Sequence, residues 1–144
     1  MSRPLPTSAA AFPLASHRVP QALRDLARER PLVLTVRGDC MLPRLRDGEQ
    51  VAVAPARRYW PGDIVAFATP QDRIALHRLL GYRLAAGRLV CVTRGDRSDT
   101  PDTPISPALL LGRATPPPPR ADRARALLAF LGLILRAARR RLAG

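Results

Sequence analysis

The segment Val36-Arg37-Gly38-Asp39-Cys40-Met41-Leu42-Pro43 holds the residue types from which a nucleophile is built. An apolar run ends at Gly38, and Cys40 follows before Pro43, a residue with no N–H to continue a regular ladder. Backbone N–H groups left free beside a thiol are the donors that an oxyanion needs. On this reading Cys40 is an attacking thiol. Taken alone, it is equally a small side chain buried at a strand end, since free cysteine is among the most buried residue types. His77 taken alone is a satisfied histidine on a strand; beside a thiol, its imidazole would draw off the proton and form a thiolate–imidazolium pair. What the chain lacks narrows the chemistry. All 24 Lys+Arg residues are arginine, which excludes Schiff bases, a phosphate-cradling P-loop lysine and a serine nucleophile activated by lysine. No cofactor and no metal is implied.

Those side chains must be carried by 144 residues, 47% hydrophobic and 4% aromatic, enough for one domain with an aliphatic core. Residues 1–18, with Pro4, Pro6 and Pro13 among Ser and Ala, read as a mobile arm and make a poor secretion signal. Pro20 suits the first turn of a helix reaching about Arg30, with Leu23, Leu26 and Ala27 on one face. From Pro31 the pattern is β. Strands are expected over Leu32–Arg37, Gln50–Ala54, Asp63–Ala68, Arg73–Leu80 and Arg88–Thr93, punctuated by Asp47-Gly48, Pro61-Gly62, Pro70-Gln71-Asp72, Gly87 and Gly95-Asp96. A last strand, Ala108–Leu111, is expected to stop at Gly112. This spacing predicts a mainly β fold, a barrel or folded sheet. Pro116–Pro119 then form a stiff polyproline spacer before a helix over 121–142. The expected division is an arm (1–18), a β domain (19–113), a Pro-rich linker (114–120) and a basic, apolar C-terminal helix (121–144).

Five boxes then fall in a familiar order. Gly38-Asp39-Cys40-Met41-Leu42-Pro43 resembles the Gly-x-Ser-Met-x-Pro box of the type I signal peptidases and their relatives, the self-cleaving repressors of the LexA kind. Leu45-Arg46-Asp47-Gly48-Glu49-Gln50-Val51 is similar to that superfamily's Gly-Asp turn and following strand, with Glu49 where Asp is usual. Pro61-Gly62-Asp63-Ile64-Val65-Ala66-Phe67 is similar to its second Gly-Asp-Ile-Val box, Leu76-His77-Arg78 to its base-bearing strand, and Thr93-Arg94-Gly95-Asp96 through Asp102 to its last. Together the boxes cover about residues 32–113. The resemblance implies a signal-peptidase/LexA-like folded, barrel-like β-sheet as the catalytic domain, and an endopeptidase activity.

Two departures bear on catalysis. Cys40 stands where the superfamily has serine, and the lysine base of most bacterial members has no counterpart. His77-Arg78 instead matches the branch found in the endoplasmic reticulum, in archaea and in some small bacterial relatives, which places histidine before arginine. The resemblance therefore implies a Cys-His dyad, with Cys40 as nucleophile, His77 as general base and Asp102, six residues after Asp96, orienting the imidazole. Asp99 is the alternative orienter if the loop is shifted in register. Gly38, Asp39, Met41, Pro43, Gly95 and Asp96 support the site, Met41 by packing beneath it and Asp96 by bonding turn amides. The Cys40 N–H is the expected oxyanion donor, and the hydroxyl that some members carry two residues earlier is replaced by Gly38. Cys91, on a strand leading to the Asp96 loop, is by default a buried inert thiol, with a regulatory disulfide to Cys40 as the alternative. Trp60 either caps the core at a turn or forms a hydrophobic lip.

The implied partner is a precursor or leader peptide, added as an extended strand to a sheet edge. A reading of another class keeps the fold as a catalytically inactive peptide-binding or scaffold module. A repressor is disfavoured because residues 1–31 are too short for a helix-turn-helix domain, and no specific nucleic acid is expected. Residues 113–144 carry eight arginines and one aspartate. Within them Ala126–Leu135 gives about 15 Å of apolar helix, against a hydrocarbon core of about 30 Å. That run cannot span alone; it is expected to lie peripherally on an anionic membrane surface, or to dock on the domain or a second copy. Without an export signal the expected location is the cytoplasm, either free or peripheral at the inner membrane surface. The oligomeric state is left open.

Overall fold

The computed structural model describes residues 18–69, 71 and 73–143; His17 and the rest of the arm before Arg18 lie outside the described residues. Helix α1 spans Arg18–Glu29 and is followed by strands β1 (Leu32–Thr35), β2 (Gln50–Ala54), β3 (Ile64–Ala68), β4 (Ile74–Ala85) and β5 (Arg88–Arg94). A 3₁₀ turn at Pro107–Leu109 leads into β6 (Leu110–Thr115), and helix α2 covers Arg120–Leu142. The six strands form one antiparallel sheet in the order β1-β2-β6-β3-β4-β5. The fold is therefore mainly β, with a short N-terminal and a C-terminal helix. Its sheet is open, with β1 and β5 at the two edges, so of the barrel and the folded sheet it is the second that forms.

The sheet folds around its middle strand. β3 is buried along its whole length, and from Ile64 to Phe67 its side chains alternate between two cores with the period of two that a strand dictates, Ala68 then following Phe67 into the second. Ile64 and Ala66 join Val36, Met41, Leu45, Val51, Val53 and Leu111; Val65 and Phe67 join Leu79, Cys91, Ile105 and Leu110. α1 packs on β6 and β2, setting Leu23 against the first core, while the Arg24 guanidinium donates to the carbonyl of Ala108. α2 packs on β4, where buried Ala126 meets Leu80 and Val92, flanked by Ala129, Phe130 and Leu133. No helix among the described residues is long and apolar enough to cross a membrane.

Two strands run further than expected, each through a glycine. Gly112 does not end β6 but lies inside it, where a Cβ would stand 2.7 Å from Ala54 O and from Val53 Cγ1. Its role is close approach of backbones. Likewise β4 runs through Gly81, whose bare Cα admits the Phe130 ring to 2.8 Å from the position of a Cβ. The strand ends only at the hairpin turn formed by Ala86 (φ 48°) and Gly87 (φ 72°), both left-handed, as the twist of a two-residue turn requires.

Candidate active site

The loop after β1 carries Cys40. Gly38 sits at φ +83°, a conformation that penalises any side chain, and its N–H donates to Asp47 Oδ1 at 2.8 Å. The chain then turns tightly, the Leu42 N–H returning to Asp39 O at 3.1 Å, with Met41 buried at 1% exposure as the floor of the turn. Pro43 follows a cis peptide and is exposed. Cys40 itself is partly buried. Among the described residues no carbonyl or carboxylate accepts its N–H.

A second loop is latched onto the first. The Arg97 N–H donates to Cys40 O at 2.9 Å, and the Arg97 guanidinium pairs with Asp39 Oδ2 at 2.6 Å. Gly95 lies beneath, where a Cβ would stand 3.0 Å from Cys40 O and 3.2 Å from Cys40 Cβ. Sequence reasoning singled out Gly95 and Asp39 but missed Arg97, whose partner is 58 residues away. The same loop ends at Asp102. Its Oδ2 lies 2.6 Å from His77 Nδ1 and accepts a second bond, at 2.7 Å, from the Thr93 hydroxyl. The Asp102 N–H donates to Thr93 O at 2.8 Å, so the carboxylate is fixed through both backbone and side chain. Thr93 was also missed; only its place in the last box hinted at it. Asp99 is exposed, and it is Asp102 that holds the imidazole.

With Nδ1 engaged, Nε2 is the nitrogen left for chemistry. Phe67 steadies the ring edge-on, centroids 6.1 Å apart at 67°. Strand alternation sends the next residue, Arg78, to the opposite face. There its guanidinium donates to both oxygens of Asp96 at 2.6 Å, to Gly62 O at 2.8 Å, and lies 3.5 Å from Asp122 of α2. Burial works against its charge, but the Asp96 bond and the charges of Asp96 and Asp122 hold its pKa above the ordinary value. Asp96 thus binds this arginine, not the turn amides expected of it.

Cys40 and His77 line one cavity of about 310 Å³, walled by Leu34–Val36 of β1 and its loop, Met41, and Ile74–Leu76 of β4. Both walls present open strand edges. β1 is the end strand of the sheet, and β4 pairs with β5 only from Arg78 onward, so Ile74–His77 are paired with β3 alone among the described residues. Burial raises the Cys40 pKa above its ordinary 9.0; its own backbone N–H pulls the other way, and the carboxylates of Asp39, Asp102 and Asp96 push it further up. At neutral pH the resting side chain is a thiol, not half of a thiolate–imidazolium pair.

Other singled-out residues lie elsewhere. Both cysteines are free; Cys91 is fully buried, bonded through its backbone to Ile105 at 2.8 and 3.1 Å, and burial lifts its pKa to about 11. Trp60 is 53% exposed, whereas its neighbour Tyr59 packs on the core, so Trp60 does not cap it. Among the described residues no group of three or more His, Cys, Asp or Glu is placed to hold a metal ion.

No curated protein and no solved structure matches the chain. A family model does, over residues 9–89, a span that includes Cys40 and His77 and stops short of Asp102. That span is more than half of the chain, and with an open, mainly β sheet carrying those residues to one cavity, the chain belongs to the Peptidase S24-like family.

Proposed function

We propose that this chain is a signal-peptidase-like endopeptidase that cleaves a precursor or leader peptide, with Cys40 as nucleophile and His77 as general base oriented by Asp102. The observation that carries this reading is that His77, bonded to Asp102 at 2.6 Å, shares a cavity with Cys40. Because the resting thiol is protonated, attack and proton transfer go together. Sulfur bonds to the scissile carbonyl carbon as its proton passes to Nε2, and Asp102, remaining ionised, stabilises the imidazolium. The Cys40 N–H receives the developing oxyanion. Collapse breaks the C–N bond, and the imidazolium gives its proton to the leaving amine. Water, deprotonated by His77, then attacks the thioester carbon, the C–S bond breaks to release the acid, and the departing sulfur takes the proton back from the imidazolium. The open edges of β1 and of Ile74–His77 suit an extended substrate backbone, whose N–H and C=O groups would add to them as a strand.

A second reading, an inactive peptide-binding module on the same cavity, draws on the raised pKa of Cys40 and on Gly38 in place of a second oxyanion donor. Purified protein incubated with precursor candidates and examined by mass spectrometry separates the two. Wild type should cleave, Cys40→Ala and His77→Ala should not, and Asp102→Asn should lose on the order of 10⁴-fold in kcat. Peptides bound but left intact by wild type would establish the second reading instead.

A further inference from the structure

α2 is apolar on two sides, and the domain covers one. At about 100° per residue, Ala126, Ala129, Phe130 and Leu133 share the side that meets Leu80 and Val92. Leu127, Leu128, Leu131, Ile134, Leu135 and Leu142 fall in a separate arc of about 120° and are between 45% and 89% exposed. So many large aliphatic side chains on one face mark a partner site. Charge decides which partner. α2 carries seven arginines against the single acid Asp122. Helical spacing sets Arg139 along one border of the arc and Arg141 along the other, with Arg136 about 80° outside it. Among the described residues no carboxylate pairs with these three or with Arg140.

A second copy seated on this face would bring two such cationic rows together. An anionic lipid surface would neutralise them, and arginine stems can run along a buried apolar face while their guanidinium groups stay at headgroup level. We infer that the free face of α2 seats on an anionic membrane surface, the helix lying in the interface plane with the domain carried on its opposite side. This placement does not depend on the peptidase reading.

The test is sedimentation of the full chain with vesicles of phosphatidylcholine, with and without phosphatidylglycerol. Binding is expected to require phosphatidylglycerol, to weaken with salt, and to fall about five-fold for each arginine removed when Arg139 and Arg141, which flank the face, are changed to Gln. Leu128→Ser with Leu131→Ser, which leaves charge untouched, should weaken it at least ten-fold, because apolar burial is lost; both sites are exposed, so the fold should survive, and circular dichroism checks that. Three results would overturn the inference. They are no binding to anionic vesicles, binding unchanged by the serine pair, and a stable dimer in sedimentation that the serine pair dissociates.

Discussion

Cys40 is surrounded by three carboxylates and one imidazole, and the carboxylates set its resting state. Cysteines that work as preformed thiolates sit in electropositive surroundings; here burial and then Asp39, Asp102 and Asp96 hold the proton on sulfur. Alkylation by iodoacetamide should therefore be slow at neutral pH and rise with a midpoint above the ordinary 9.0. Asp39 is exposed and its pair with Arg97 is at the surface, so Asp39→Asn should leave the fold intact, lower the midpoint and speed the reaction at neutral pH. Buried Cys91 does not compete in the native protein. Rapid alkylation that is flat across neutral pH and indifferent to Asp39→Asn would show a thiolate at rest, and the coupled attack would have to be abandoned. Cys40 and His77 were legible in the sequence because each lies in a short contiguous box. Arg97 and Thr93 were not, because what they do depends on which loop the fold lays against which. Asp102 lay between these cases, pointed to only by the family resemblance, which sets it six residues after Asp96, while the role of Asp96 itself was misread because nothing local to it announces Arg78.

At the scale of elements, the strands declared themselves through apolar runs and the turns through glycine pairs, so β2 was read to the residue. Gly112, doing a different job, was misread as a strand end, since a sequence does not say whether a missing Cβ serves a turn or a neighbour. Gly62 serves both. Its φ is +97°, and a Cβ would stand 2.7 Å from Arg123 Cα, on the backbone of the first turn of α2. Gly87 has φ +72° with nothing within 4 Å. Gly87→Ala should then cost about 1–2 kcal/mol from backbone strain alone. Gly62→Ala should cost a further 1–3 kcal/mol for overpacking, and should displace the first turn of α2 from Pro61 and Asp63, to which Arg123 donates at 3.2 and 2.9 Å. Urea unfolding gives the energies, and limited proteolysis reports whether α2 is released. Equal costs at the two glycines would mean that α2 does not hold the Pro61–Asp63 turn as tightly as its contacts indicate. The same helix explains why its sequence shows no clean apolar stripe: one face meets β4 and the other is left outward, so apolar residues run all round.

For the molecule as a whole, the absence of lysine matters again above neutral pH. Arginine keeps its proton through the range in which lysine would lose its own, so with 24 arginines the cationic charge holds constant and alkaline stability rests on thiols and phenols. Cys91, fully buried in the second core, is the group most exposed to this. Its pKa is about 11 when folded against 9.0 for an ordinary thiol. Below 9.0 both states hold the proton and the fold has its full stability; above it the unfolded chain releases the proton while the folded one cannot, so stability falls until about 11 and then levels. The gap corresponds to about 3 kcal/mol. Tyr82, lifted to about 12 by burial and then by the charge of Cys91 while its hydroxyl donates to Tyr59 O, adds a later loss that removal of Cys91 also lessens. Cys91→Ala should thus be less stable than wild type at neutral pH, because of the cavity it leaves, yet lose less stability between 9.0 and about 11, so that the two curves converge on going alkaline. Urea unfolding of both proteins across that range decides the matter: parallel curves would place the alkaline weakness at groups other than Cys91.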